Sequence, residues 1–253
     1  MYLRLTYRNL RANLDFASLF FELIFPIFFI FVEGPGLGAV AKQVSLCNGQ
    51  TVPYQLYLAA GAVTLTVING GTNAGTQLWY DRKNGMFEQI LMAPFSRAQY
   101  ILSIIFATLI IGIAGSLLVF LIALPVLGAG LQITFQGVLL VASALFMGTI
   151  LFGSFAISLS VILRSSETFQ IVSTFVFFVF LFTSSVFYPS CTAPTAIRIV
   201  SLGNPLTWTT DMFRAGLFNS FSSFLTEEII TLAIVAAVVF WISVIAFRRI
   251  RVQ

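Results

Sequence analysis

An all-α integral membrane protein is the fold class this sequence predicts, and three observations predict it. Of its 253 residues, 58% are hydrophobic and only 9% charged, with a mean hydropathy of +0.99, which is more apolar matter than one aqueous core can bury. The apolar residues come in continuous runs of about twenty, the length of a bilayer-crossing helix. The runs do not alternate apolar with polar as barrel strands do, so helices are left as the way to satisfy every backbone amide in lipid.

In residues 1–14, Leu3, Tyr7, Leu10 and Leu14 recur at helical spacing beside a stripe of Arg4, Arg8 and Arg11. That pattern describes an amphipathic helix lying in the membrane plane, either a headgroup anchor or a strut against a cytoplasmic partner. Six spans follow, at residues 17–32, 54–78, 99–127, 136–163, 169–188 and 229–247. The start also fits a secretory leader with Ala39-Val40-Ala41 as its cleavage site; the expectation here is an uncut first span. Ten of the 13 Lys and Arg residues (Arg4, Arg8, Arg11, Arg82, Lys83, Arg97, Arg164, Arg248, Arg249 and Arg251) fall on one side of this arrangement, against Lys42, Arg198 and Arg214 on the other. The positive-inside rule then places both termini in the cytoplasm of a cell whose plasma or inner membrane holds the chain. The formal charge of +4 sits at span ends, where it meets lipid headgroups, and does not form a nucleic-acid footprint.

Residues 80–100, YDRKNGMFEQILMAPFSRAQY, form a polar island between two apolar runs. Met86, Phe87, Ile90 and Leu91 give residues 85–93 an amphipathic helical pattern that Pro94 stops, and Ser96 with Gln99 forms a capping box for the next span. The island reads either as a loop helix packing on its neighbours or as a lever whose polar edge, including Arg82, Glu88 and Gln89, docks a motor domain. Residues 190–226 form a long external segment in which 195–202 and 206–218 each predict a short helix, broken at Asn204-Pro205. On the last span Glu227 and Glu228 stand at the helix start and Arg248 and Arg249 at its end, opposing the helix dipole favourably. No further domain is expected after Arg251.

Several chemistries are excluded. Neither lysine follows a glycine, so a G-x-x-x-x-G-K-[ST] phosphate loop cannot be formed and ATP is not hydrolysed here by that route. With no histidine and two cysteines, zinc sites of the HExxH type, Ser-His triads and cysteine-only metal centres are excluded. Glu22 is the acidic residue placed at membrane depth; it reads as snorkelling or paired with an arginine, with proton coupling the weaker alternative. Energy is therefore expected from a separate protein.

The island matches R-x-x-G-x-x-E-x-hydrophobic-x-x-x-P-x-S-R through Arg82, Gly85, Glu88, Pro94, Ser96 and Arg97. A second block reads ILRSSETFQIVSTFVFFVFLFTSSVFYP, ending at Tyr188-Pro189, and then CTAPTAIRIVSLGNPLTWTTDMFR, with an N-P-x-T-W tract followed by Arg214. Together, over nearly the whole chain, these blocks resemble the permease subunits of type-2 ATP-binding-cassette exporters. The resemblance implies one transmembrane domain, residues 1–253, with an interfacial helix (1–14), a cytoplasmic coupling helix within residues 80–98 and a re-entrant external hairpin (190–226) bearing Pro189, Asn204, Pro205 and Arg214. It also implies pairing with a second copy or a sister permease, two cytoplasmic ATPase subunits that carry the ATP and Mg, and membrane lipids around the bundle. This chain itself needs no cofactor.

On the second span, Thr66, Asn69, Asn73 and Gln77 share one helical face. They either line a substrate path or bond to a neighbouring helix, with Gly71 and Gly75 allowing close approach. Phe175, Phe177, Phe178, Phe180 and Phe182 read as lipid-facing or packing residues, with a greasy substrate wall as the alternative. Arg198, Asp211 and Arg214 either sit in the outer interface or steer anionic headgroups. Cys47 and Cys191 fall in the two external segments, where a bridge between the first loop and the hairpin can form. The expected function is outward movement of an amphipathic drug-like or lipid-linked molecule. The alternatives are export of a lipid-linked polysaccharide and, from another class, a membrane scaffold or sensor that moves nothing.

Overall fold

The computed structural model describes residues 2–13, 16–86, 89, 92, 96–128, 130–132, 134–163 and 165–248. These are helical almost throughout. Helix α1 (Tyr2–Asn13) comes first; α2 (Phe16–Phe28), a π-helical stretch (Phe29–Glu33) and α3 (Gly34–Val40) then run on from one to the next without a break. The Gly34 N–H donates to the Phe29 carbonyl, five residues back. Pro26, inside α2, lacks the N–H of a normal turn, and a local change of helical pitch is one way a chain accommodates such a loss. A two-stranded antiparallel hairpin follows, β1 (Gln43–Ser45) with β2 (Thr51–Pro53), in register Gln43 to Pro53 and Ser45 to Thr51.

The long helices are α4 (Tyr54–Lys83), α5 (Arg97–Leu127), α6 (Phe135–Ile162), α7 (Ser166–Thr183) and α10 (Leu225–Arg248). Between α7 and α10 lie α8 (Thr195–Leu202) and α9 (Pro205–Phe218). Side-chain caps start several of them. Thr134 accepts from Gly137 N–H at 3.0 Å, Ser165 from Thr168 N–H at 3.4 Å, and Ser96 and Gln99 form the reciprocal box, at 2.9 and 3.2 Å.

Among the described residues, five helical stretches are long and apolar enough to cross a membrane: Glu22–Val40, Gln99–Leu127, Phe135–Ile162, Ser166–Thr183 and Leu225–Phe247. Helix α4 is not among them. With 30 residues it extends about 45 Å, but its Thr, Asn, Gln and Gly residues dilute its apolar content. Those residues fit its position. Helix α4 is the axis of the bundle, with most side chains from Tyr54 to Leu78 buried, and its main neighbours are α6 and α5. A helix wrapped by protein need not be greasy, because its polar groups meet other helices and not lipid. Close approach replaces bulk there. A Cβ at Gly71 would lie 2.6 Å from Phe152 Cβ, and one at Gly75 2.6 Å from the Ala156 carbonyl oxygen.

Two boundaries differ from the sequence reading. The first span is displaced toward Val40, because the helix continues through the π turn and Gly34–Val40. Helix α7 ends at Thr183, short of Tyr188, because Ser184 turns on its own backbone: its hydroxyl donates to Leu181 O at 2.8 Å and accepts from Val186 N–H at 3.3 Å. Along α7, Phe175, Phe178 and Phe182 are exposed on the outside of the bundle. Phe177 and Phe180 turn inward against the main core.

That main core gathers α4, α6, α9 and part of α10 around Leu58, Leu65, Phe152, Met212 and Phe213. A smaller one, built on Leu5, Leu78, Tyr100, Ile104, Ile157 and Phe247, joins α1 and α5 to the far end of α4.

Candidate functional site

The end of α4 that carries Asp81 and Arg82 is tied to three other helices. Asp81 accepts from the Arg8 guanidinium of α1 in a salt bridge and from the Tyr100 hydroxyl of α5 at 2.7 Å. One turn back, Gln77 donates to Asn9 Oδ1 at 2.8 Å and accepts from Asn13, while Asn9 donates to Ser103 Oγ on α5 at 2.8 Å. Asn9 is fully buried. Arg82 donates to the Ser160 carbonyl of α6 at 3.0 Å. Through that bond its half-buried guanidinium ties the helix end to α6.

This packing also changes the reading of α1. The side it buries carries Leu5 and Asn9, whereas Tyr7 is 64% exposed; Leu3 and Leu14, the ends of the expected apolar stripe, lie outside the residues whose side chains are described. The helix has two working faces, a polar one bonded to α4 and α5 and an outer one carrying Tyr7. Periodicity of apolar residues finds only the second.

Past Lys83 the chain turns at Gly85, whose φ of +66° is the left-handed region glycine occupies without strain. Gln89 N–H donates back to the Gly85 carbonyl at 3.4 Å, and Met86, Gln89 and Met92 are helical and exposed. Glu88 and Pro94 lie outside the described residues, as does the side chain of Arg97. Ser96 is placed as the N-cap of α5.

The amide stripe of α4 meets other helices. Thr66 donates to Val63 O at 2.7 Å and shares a hydrogen bond with Ser116 of α5. Asn73 donates to Glu22 Oε2 of α2 at 3.1 Å, and Gln77 serves α1 as described above. Asn69 is half-buried. Within one chain Thr66, Asn73 and Gln77 thus bond across to neighbouring helices. Glu22 is 6% exposed; among the described residues its carboxylate meets Asn73 and no arginine, and it stands close to Gly70 and Gly115; sequence spacing gave no hint of this partner 51 residues away.

At the opposite end of α4, Arg214 of α9 is buried. Its guanidinium donates to Tyr57 O at 2.9 and 3.2 Å, Ser185 O at 2.7 Å and Val186 O at 2.8 Å. It also covers the Tyr57 ring at 3.5 Å and stands 3.6 Å from Asp211. Arg214 is therefore a structural rivet between α9, α4 and the segment after α7. Asn204 makes the break between α8 and α9: its side-chain oxygen accepts from Leu206 N–H at 2.9 Å, and its amide donates to Phe180 O and Thr183 Oγ1 at 2.8 and 2.9 Å. Pro205 takes the first helical position of α9, where its missing N–H has no intrahelical role. Pro189 lies in the segment between α7 and α8, where its carbonyl accepts from the backbone and hydroxyl of Thr192. Cys47, beyond β1, and Cys191 form a disulfide with Cα atoms 5.7 Å apart.

The helices from α1 to α9 fall within one known pattern. A family model described as ABC-2 type transporter matches residues 2–218. The chain belongs to the ABC-2 type transporter family. No curated protein matches it. Membership makes it the membrane domain of an ABC permease, in a family whose members are typically non-catalytic membrane subunits working with an associated ABC ATPase. The five apolar stretches and the family together make it a multi-pass membrane protein.

Proposed function

We propose that this ABC-2 protein is the permease subunit of an ATP-driven exporter, with six spans once α4 is counted among them, both termini in the cytoplasm, and the plasma or inner membrane as its location. The observation that carries the reading is the root of the island. Asp81 and Arg82 bind α4 to α1, α5 and α6 immediately before the segment 82–97, so a force applied to that segment reaches four helices at once. Two copies of a cytoplasmic ATPase, holding ATP and Mg, would press there, with Gln89 and Glu88 on the contact edge and Arg97 near the root of α5. A second copy or a sister permease completes the conduit. Residues 190–226 form the re-entrant cap on the outer side, with α9 shielded by protein as non-spanning backbone at membrane depth must be.

The cargo is an amphipathic drug-like or lipid-linked molecule, moved outward. An exposed aromatic face on α7 and few accessible charges support that class. Co-reconstitution with its ATPase tests the reading: hydrolysis should rise with substrate and should need the permease. Hydrolysis indifferent to both would leave a scaffold or sensor in its place.

A further inference from the structure

We propose that the cavity beneath the Cys47–Cys191 bridge is a binding site for a primary ammonium group carried on an amphiphile. The cavity has a volume of about 90 Å³ and is lined by Asp211, Arg214 and Glu228, with Arg198 also on its wall. One water needs roughly 10–15 Å³ of such space, so the cavity has room for a small polar headgroup.

Its charges define the ligand. Arg214 is wholly committed, to three carbonyl oxygens and to Asp211, and Asp211 also accepts from the Ser185 hydroxyl at 2.7 Å. That pair is internally balanced. Glu228 is only 9% exposed, and its Oε2 is buried without a hydrogen-bond partner in the structure. A buried carboxylate oxygen with no donor is costly, and it selects a cation able to supply N–H groups. Arg198 is exposed, so the fixed positive charge lies outward and the oxygen without a donor lies within.

Geometry narrows the cation further. A quaternary ammonium has no N–H to give to the unpartnered oxygen of Glu228 and is held best by several open aromatic faces; of the two rings on this wall, Tyr57 is already covered by Arg214 at 3.5 Å and Phe224 alone is left. A primary ammonium carries three donors, and the Ser220 and Ser222 side chains share the lining with Glu228. Leu46, Leu202 and Phe224 form the apolar remainder, suited to the first carbons of a chain. The proposal needs neither the ATPase nor transport, so its failure and that of the exporter reading are separable.

Equilibrium dialysis of radiolabelled octylamine against the full chain in phosphatidylcholine nanodiscs tests it, with empty discs subtracted. Saturable binding, one per chain, should be at least about tenfold tighter than for octan-1-ol or octyltrimethylammonium. Glu228→Gln should lose about tenfold or more, and Glu227→Gln, on the exposed neighbour, should lose far less because solvent screens its charge. Equal binding of the three octyl compounds would overturn the proposal even if Glu228→Gln fails to fold, and an unchanged affinity in a folded Glu228→Gln protein would do the same. Discs containing phosphatidylethanolamine separate the sources. A weaker apparent affinity for octylamine there identifies the lipid amine as the occupant, and an unchanged one assigns the site to non-lipid amphiphiles.

Discussion

Helices α6 and α9 cross with backbone against backbone at Gly137 and Gly216, and a methyl group at either position should pry them apart. A Cβ on Gly137 would stand 2.3 Å from the Gly216 carbonyl oxygen; one on Gly216 would stand 2.5 Å from the Gly137 carbonyl oxygen and 2.8 Å from Val141 Cγ2. The obstructing atoms are carbonyl oxygens fixed in helices, so no rotamer change relieves the clash and the helices must separate by about 1 Å to restore ordinary contact. Overpacking of this kind costs about 1–3 kcal/mol. The same movement would stretch the bonds that Arg214, two residues before Gly216, makes to Tyr57 O and Val186 O at 2.8 to 3.2 Å, placing the loss toward the upper end. Thermal unfolding of the purified chain should fall by about 2–4 °C per kcal/mol for Gly137→Ala and Gly216→Ala. The double variant should lose less than the two losses added, because one separation relieves both clashes. Gly36→Ala is the control, since nothing lies within 4 Å of its Cβ position, and it should be neutral or stabilising by up to about 1 kcal/mol. If Gly137→Ala and Gly216→Ala match Gly36→Ala, the helices do not cross as described.

Other perturbations probe the remaining parts. Arg8→Gln and Asp81→Asn should each lower stability, and a double-mutant cycle should return a coupling of about 1–3 kcal/mol, reduced by the partial exposure of Arg8; no coupling would mean that α1 is not bonded to the lever. Arg214→Lys should cost about 3 kcal/mol or more despite keeping the charge, because an ammonium cannot reach three carbonyls and cover a ring at once, and a melting temperature equal to the wild type would refute the rivet. Glu22→Gln should leave transport and its ATP dependence intact, whereas transport lost together with a dependence on the proton gradient would show that energy enters at this carboxylate. Non-reducing electrophoresis of freshly isolated membranes should show a mobility shift on reduction that Cys47→Ser abolishes; two free thiols would remove the bridge.

Much of the fold was legible because its signals are local. Apolar runs set the long helices, Asn204-Pro205 placed the break between α8 and α9 to within a residue, and Ser96 with Gln99 announced the start of α5. The site was less legible because its bonds are distant in sequence. Asp81 meets Arg8 across 73 residues and Arg214 meets Tyr57 across 157, and neither local pattern nor charge count reveals which charged residues turn inward. Helix α4 shows the limit in another way: its low hydropathy reflects burial among other helices, which composition alone cannot distinguish from exposure to water. The one visible trace of its seam was the spacing of Thr66, Asn73 and Gln77, which showed a shared face but not its partners.

The central claim is that segment 82–97 faces the cytoplasm and receives force from an ATPase. A cysteine introduced at Gln89, which is exposed and lies beyond the Gly85 turn, tests it most directly with a membrane-impermeant maleimide. The account predicts no labelling in intact cells, labelling in inside-out vesicles, and protection there when the ATPase is bound. Labelling of that thiol from outside intact cells would contradict it.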